Sequence, residues 1–301
     1  MNRLSLLLCL LLPALTARAD EFSERFQELR KAEDDKAMEK FLEESAKTQA
    51  DNANYYALAS NYWWSVAGRT IISTKPAEKG EFTLREKESG KEAGSVSDAG
   101  TIDPSLRQKA LDLTTEGFKR FPERLDIGLG LATVQTRMEK PAAAVETLLA
   151  LLKVSKEKAD ALKWGDNKPL PEPAATLVPE SMQGYTVPLL KAGDEASAKL
   201  CKQLCEATIA AYPEHPFAYN ILAALADARD DNAEAMKWLK LANSKAPADP
   251  LILINLADAQ REAKQDKEAL ASYKKVLELE ADDELKEAAK EGIKALEKEK
   301  K

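Results

Sequence analysis

Residues 216–249 and 250–283 of this chain match each other at an offset of 34. Pro216 meets Pro250, Leu222-Ala223 meets Leu256-Ala257, and Glu234-Ala235 meets Glu268-Ala269. Within each stretch, two apolar stripes of helical period flank a polar turn, Arg229-Asp230-Asp231-Asn232 in one and Lys264-Gln265-Asp266 in the other. Each unit therefore reads as a helical hairpin. Small residues (Ala223, Ala235, Ala242, Ala257, Ala269) recur where helices must approach closely. Large ones (Tyr219, Leu222, Leu239, Leu253, Leu256, Tyr273) fill the remaining inward positions. A self-similar period of this length constrains the fold more than any composition does, because one hairpin cannot bury its apolar faces without stacked neighbours.

The register can be walked backwards. Leu131-Ala132 open a unit that runs through Ala144, Leu148 and Leu151, with its turn at Glu139-Lys140-Pro141. Ala110, Gly117 and Pro122 mark a second helix before it. Tyr55, Leu58, Ala59 and Tyr62 mark a first helix, and Ala37 with Phe41 a second helix earlier still. Phe22, Phe26 and Leu29 form one helical face in front of these. The pattern resembles the tetratricopeptide repeat, and its strand insertion resembles that of exported bacterial tetratricopeptide proteins. The resemblance implies an all-α right-handed superhelix of about six hairpins: 20–50, 52–122, 125–158, 181–213, 216–249 and 250–283. The charged segment 284–301, with Leu285, Ala289, Ile293 and Leu296 on one face, reads as the helix that caps the last hairpin.

Two stretches depart from the pattern. Between Tyr62 and Ala110, residues 70–74 and 81–85 flank a Lys-Pro-Ala-Glu-Lys-Gly turn, which predicts an inserted β-hairpin. Residues 90–100 are polar and Gly/Ser-rich, a loop or a weak third strand. From Lys163 to Pro188, five prolines (169, 171, 173, 179 and 188) argue against continuous helix. The organisation expected is a signal peptide at 1–19, helices at 20–64, the insertion at 65–104, helices at 105–158, a Pro-rich connector at 159–180, the C-terminal array at 181–283 and the cap at 284–301.

The first nineteen residues read as a secretory signal: Arg3, the apolar run 4–12, and the small-x-small site Ala17-Arg18-Ala19 before Asp20. The run is too short to span a bilayer, which takes about 20 helical residues. Cys9, preceded by leucines, does not suit lipid attachment. The expectation is export to the periplasm or outside the cell, without membrane insertion after cleavage. Removing 1–19 takes away Arg3 and Arg18, leaving 42 Lys+Arg against 51 Asp+Glu, a net charge of −9. That balance argues against nucleic acid, which demands a basic stripe, and against an electrostatic membrane role. Cys201 and Cys205 lie four apart on one predicted helix, where a disulfide is geometrically awkward. They read as buried packing residues. With the single histidine, His215, they supply too few ligands for a metal.

Motifs of catalysis are missing from the sequence: there is no Gly-rich phosphate loop, H-E-x-x-H, CxxC pair or G-x-S-x-G. Gly128-Leu129-Gly130 reads as helix packing, and His215, in a Pro-flanked turn, as solvent-facing. No enzyme, cofactor or metal is expected. In this architecture partners are held by the concave face, lined by the first helix of each hairpin. Positions there off the Leu-Ala stripe are Tyr56, Ser60, Trp63, Thr133, Arg137, Asn220, Asp227, Asp258 and Arg261. Trp63 and Trp64 either wedge the insertion onto the array or anchor a partner. Trp164 and Trp238 read as packing residues. Ala224 and Ile254 occupy slots where a clamp for a terminal carboxylate needs polar side chains, which argues against that ligand. The expected function is a scaffold for a protein or peptide partner. The alternative is an assembly subunit of a cell-envelope complex, contacting through the inserted hairpin.

Overall fold

The computed structural model describes residues 21–68, 71–73, 81–85, 92–97 and 103–299. The signal-peptide reading falls outside them. The described chain is a helical-hairpin repeat with a small β insertion, and it divides into two units. The first comprises Met1–Lys140 with Leu162–Pro169, the second Pro141–Ala161 with Leu170–Lys301.

In the first unit, α1 (21–32) and α2 (Asp35–Ser45) turn through Glu33, whose φ of 54° is left-handed. Asp34 starts α2, its carboxylate accepting the Ala37 N–H at 3.0 Å. Phe22, Phe26 and Leu29 on α1 meet Met38 and Leu42 on α2 and the tyrosines of α3 (Ala53–Val66) in one buried cluster. Packed against α3 is α4 (Pro104–Arg120), started by Asp103 with Pro104 in its first turn. Gly117 on α4 is the small slot marked in the sequence, since a Cβ there would lie 2.6 Å from the Cβ of Tyr56. Next, α5 (Leu125–Arg137) packs on α3 and α4.

Between α3 and α4 lies a sheet of β1 (Ile71–Ser73), β2 (Glu81–Arg85) and β3 (Glu92–Ser97). The expected pairing of the first two strands is wrong. Order is β1-β3-β2, with Ile72 and Phe82 both registered on Val96 from opposite sides. The polar stretch 90–100 thus holds the central strand. Its backbone groups pair on both edges, a position that side-chain β propensity does not reveal.

A second, minute hairpin of this unit is β4 (Lys163–Trp164), a 3₁₀ turn Gly165–Asn167, and β5 (Lys168–Pro169). It is fastened by Arg124, which is 1% exposed. That guanidinium donates twice to the Asp126 carboxylate at 2.8 Å, and its Nη1 donates to Asn54 and Asn167 at 3.0 Å each. Asn54 in turn donates to Asp166 at 2.9 Å. Asp166 and Asn167 both carry positive φ, a conformation that Asn and Asp tolerate better than other side chains.

The second unit runs α6 (Pro141–Glu157), α7 (Ala174–Ala192), α8 (Glu195–Ala211), α9 (Phe217–Asp227), α10 (Asn232–Lys245), α11 (Pro250–Glu262), α12 (Asp266–Glu278) and α13 (Asp283–Glu299). Close pairs are α7 with α8, α9 with α10 and α11 with α12, and α13 covers the last pair. The 34-residue equivalence holds in backbone detail: Asp230 and Lys264, 34 apart, both turn their hairpins at φ 58°. Their packing counterparts Ala223 and Ala257, Ala235 and Ala269, Leu239 and Tyr273 are all buried.

Two expectations need correction here. The third hairpin is split between the units: α5 packs in the first, and α6 packs on α7 and α8 in the second. The prolines do not break the chain where expected either. Pro173 precedes α7, but Pro179 and Pro188 lie inside it, so helix begins within the supposed connector 159–180. Buried Val178, Met182, Thr186 and Leu189 form the stripe that packs α7 on its neighbours and outweighs the two missing backbone donors.

Cys201 and Cys205 are free and buried, as packing residues should be. Leu296 and Ala289 of α13 are buried beside Tyr273, confirming the cap.

Candidate functional site: the cleft between α9 and α11

In the second unit, α9 and α11 are the first helices of adjacent hairpins, and small side chains keep space open between them. Ala223 and Ala224 from α9, Ala235 and Leu239 from α10, and Ala259 from α11 form an apolar floor. Asn220, Asp227, Asn255, Asp258, Arg261 and Glu262 rise around it, and the cleft has a volume of about 370 Å³. Four of the nine residues nominated from sequence, Asn220, Asp227, Asp258 and Arg261, converge there.

The polar groups are prearranged. Asn255 Nδ2 donates to Asn220 Oδ1 at 2.9 Å, bridging the two helices. That bond leaves Asn220 with its amide N–H donors and Asn255 with its carbonyl acceptor. Together they match the acceptor and donor of a peptide group. Deeper in, Tyr273 Oη donates to the Asp258 carboxylate. Burial first, and the Asp258 bond second, push the Tyr273 phenol up to about 12, with Arg261 acting in the opposite sense. Tyr273 is wholly buried, so Asp258 is tied to the core of its own hairpin. Asp227 and Glu262 are exposed at the rim. Three carboxylates against one guanidinium make the cleft acidic. Its lining presents amide, carboxylate and guanidinium groups over an apolar floor.

The other five nominated residues sit in the first unit, and three of them are buried away from any surface. Tyr56 is 5% exposed and its hydroxyl donates to the Ala50 carbonyl at 3.2 Å. Ser60 is 2% exposed and donates to Ala57 at 3.1 Å. Trp63 is 4% exposed, with Lys109 Nζ 3.5 Å from its ring centroid. All three face inward because α3 is wrapped by α1, α2 and α4, so more of its circumference is core than a regular repeat would make it. Thr133 is half-buried and spends its hydroxyl on the Leu129 carbonyl. Arg137 alone is exposed. Ile254, given a groove slot in the sequence, is buried against the cap.

Sequence reasoning missed Asn255, the one polar residue in the apolar run 251–256, which is the signal that marks it. His215 is half-buried rather than solvent-facing. Its Nδ1 accepts the Phe217 N–H at 3.4 Å, and burial lowers its pKa. Trp238 packs on Tyr219 as expected, with Nε1 donating to Glu234.

No family model matches this chain, and no curated protein does. Solved structures similar to it include a tetratricopeptide repeat protein from Parabacteroides merdae, at 16% identity over 93% of this chain and 92% of that one, TM-score 0.39. Acl4, an assembly chaperone of RpL4, matches at 10% identity over 94% and 98%, TM-score 0.43. A thermophilic tetratricopeptide protein of Thermus thermophilus matches at 17% identity over 63% and 92%, TM-score 0.37. The tetratricopeptide-like character of the chain rests on its own paired helices and their 34-residue spacing.

Proposed function

We propose that this chain is an exported, non-enzymatic scaffold that holds an extended peptide segment of a protein partner in the cleft between α9 and α11. The observation that carries the reading is the Asn220–Asn255 amide pair at the cleft mouth. It leaves the amide donors of Asn220 and the carbonyl acceptor of Asn255 to face a peptide backbone, which presents one acceptor and one donor per residue. The acidic rim selects for a segment bearing lysine or arginine. Export is supported by the leader-like residues 1–19.

Affinity selection from a displayed peptide library, followed by titration of the enriched peptides, tests it. Basic extended peptides should bind the wild-type protein and lose about tenfold or more in affinity to N220A/N255A, by loss of two to three hydrogen bonds. Selected peptides that bind the double variant as tightly as wild type would overturn the cleft as the site.

A further inference from the structure

The first unit carries a positive cluster that no carboxylate among the described residues neutralises. Trp64, on the last turn of α3, lies half-buried against Leu111, Leu131 and Val134. The guanidinium carbon of Arg107, on α4, stands 3.5 Å from the centroid of its ring, and that of Arg137, at the end of α5, stands 6.0 Å away. Three helices thus bring two arginines to one indole. Stacking uses the face of the Arg107 fork and leaves its edge donors pointing past the ring. Among the described residues neither arginine takes part in an ion pair. Arg107 Nε is buried with no acceptor. Burial first, and the charge of Arg137 second, lower the Arg107 pKa, as two like charges held close together do.

Two unpaired guanidiniums placed together cost free energy in an otherwise acidic chain, and a carboxylate between them recovers it through charge-assisted bonds to both forks. We propose that Trp64, Arg107 and Arg137 form a docking site for an acidic peptide segment of a protein partner, with a carboxylate bound by both guanidiniums beside the indole. This site goes beyond the α9/α11 cleft and is independent of it: it lies in the other unit and selects the opposite charge.

The test uses the intact protein and a fluorescein-labelled hexaglutamate, read by anisotropy, with hexaglutamine and inorganic phosphate as further arms. Hexaglutamate should bind and hexaglutamine should not. R107Q and R137Q should each weaken binding about ten- to hundredfold, the range for losing a charged hydrogen-bonding partner. R107K, which keeps the charge and loses the fork, should also weaken it, and N220A/N255A should leave it unchanged. Circular dichroism on each variant separates loss of binding from loss of fold. Should R107Q fail to fold, the exposed Arg137 still decides through R137Q. The proposal is overturned if hexaglutamate does not bind, or binds R137Q as well as wild type. It is equally overturned if phosphate displaces the peptide at equal concentration, which would make the cluster a small-anion site.

Discussion

Tyr273 fills the space that the missing side chain of Gly292 leaves on α13. A Cβ at Gly292 would come within 2.6 Å of Tyr273 Cε1 and 2.7 Å of Cε2, both far inside van der Waals contact. The ring cannot yield, since it is wholly buried and its hydroxyl is bound to Asp258. Tyr273 therefore links the cap helix to Asp258, a residue that lines the candidate cleft.

G292A should destabilise the protein by about 1–3 kcal/mol, the usual cost of overpacking, even though alanine is the better helix former. Gly130, on α5, is the contrast. Nothing lies within 4 Å of a Cβ built there, so G130A should stabilise by about 0.5–1 kcal/mol through helix propensity alone. Urea unfolding of both variants checks the pair. Equal effects of either sign would mean that the close approach at Gly292 is relieved by movement of α13.

Arg124 should be among the costliest residues to remove. It is 1% exposed and bonds the side chains of Asp126, Asn54 and Asn167 at once. R124M would strand a carboxylate and two amides, and losing one partner of a buried ion pair costs about 3–5 kcal/mol. The loss should be local first. The hairpin of β4 and β5 has few other attachments, so trypsin should cut after Lys163 in R124M at temperatures where the wild type resists, Lys168 being protected in both by the following Pro169. Digestion at the same rate in both proteins would show that the hairpin is held by something other than this guanidinium.

Legibility in the sequence followed the kind of interaction involved. Ala223, Ala257, Ala235 and Ala269 recur because close helix packing demands a small side chain at a fixed place in each hairpin, so the repeat could be read directly. Asn220 and Asp258 were legible for the complementary reason: they are polar positions off that stripe. Tyr56, Ser60 and Trp63 obey the same arithmetic and still face inward, because α1 and α2 cover the side of α3 that a regular array leaves open. Arg124 offered no sequence signal at all. Its partners Asn54 and Asn167 lie 70 and 43 residues away, and only the fold joins them. Pro179 and Pro188 misled because a local backbone penalty was weighed without the tertiary burial that outweighs it.

The two thiols should be inert in the native state. Cys205 bonds to Cys201, and that bond and burial together push the Cys205 thiol up. Cys201 Sγ in turn donates to the Thr186 carbonyl at 3.4 Å. A thiolate is the reactive form; at Cys205 the protonated form is favoured, whereas the bond with Cys205 lowers the Cys201 thiol, so there it is complete burial that keeps reagent away. Ellman's reagent should label neither cysteine in native buffer and both in denaturant, with labelling at intermediate urea tracking global unfolding. Rapid labelling of one thiol without unfolding would show that α7 and α8 separate locally.

Acid should weaken the protein through its helix starts. Asp103 accepts from the hydroxyl and backbone N–H of Ser105 and from the Leu106 N–H at the head of α4. Asp194 accepts from Ser197 in the same manner at the head of α8. Those hydrogen bonds hold both carboxyls below their ordinary value, the serine side-chain bond contributing most. A carboxyl depressed in the folded state binds its proton more readily unfolded. Its stabilisation is therefore complete above the unfolded value near 3.8 and is lost as pH falls through the lower folded value. The melting temperature should hold from neutral pH to about pH 5 and then fall toward pH 2. D103A/D194A should melt lower than wild type at pH 7, because the caps are gone, and should show a shallower decline in acid. A double variant whose melting temperature falls in parallel with wild type would place the acid sensitivity in other carboxylates.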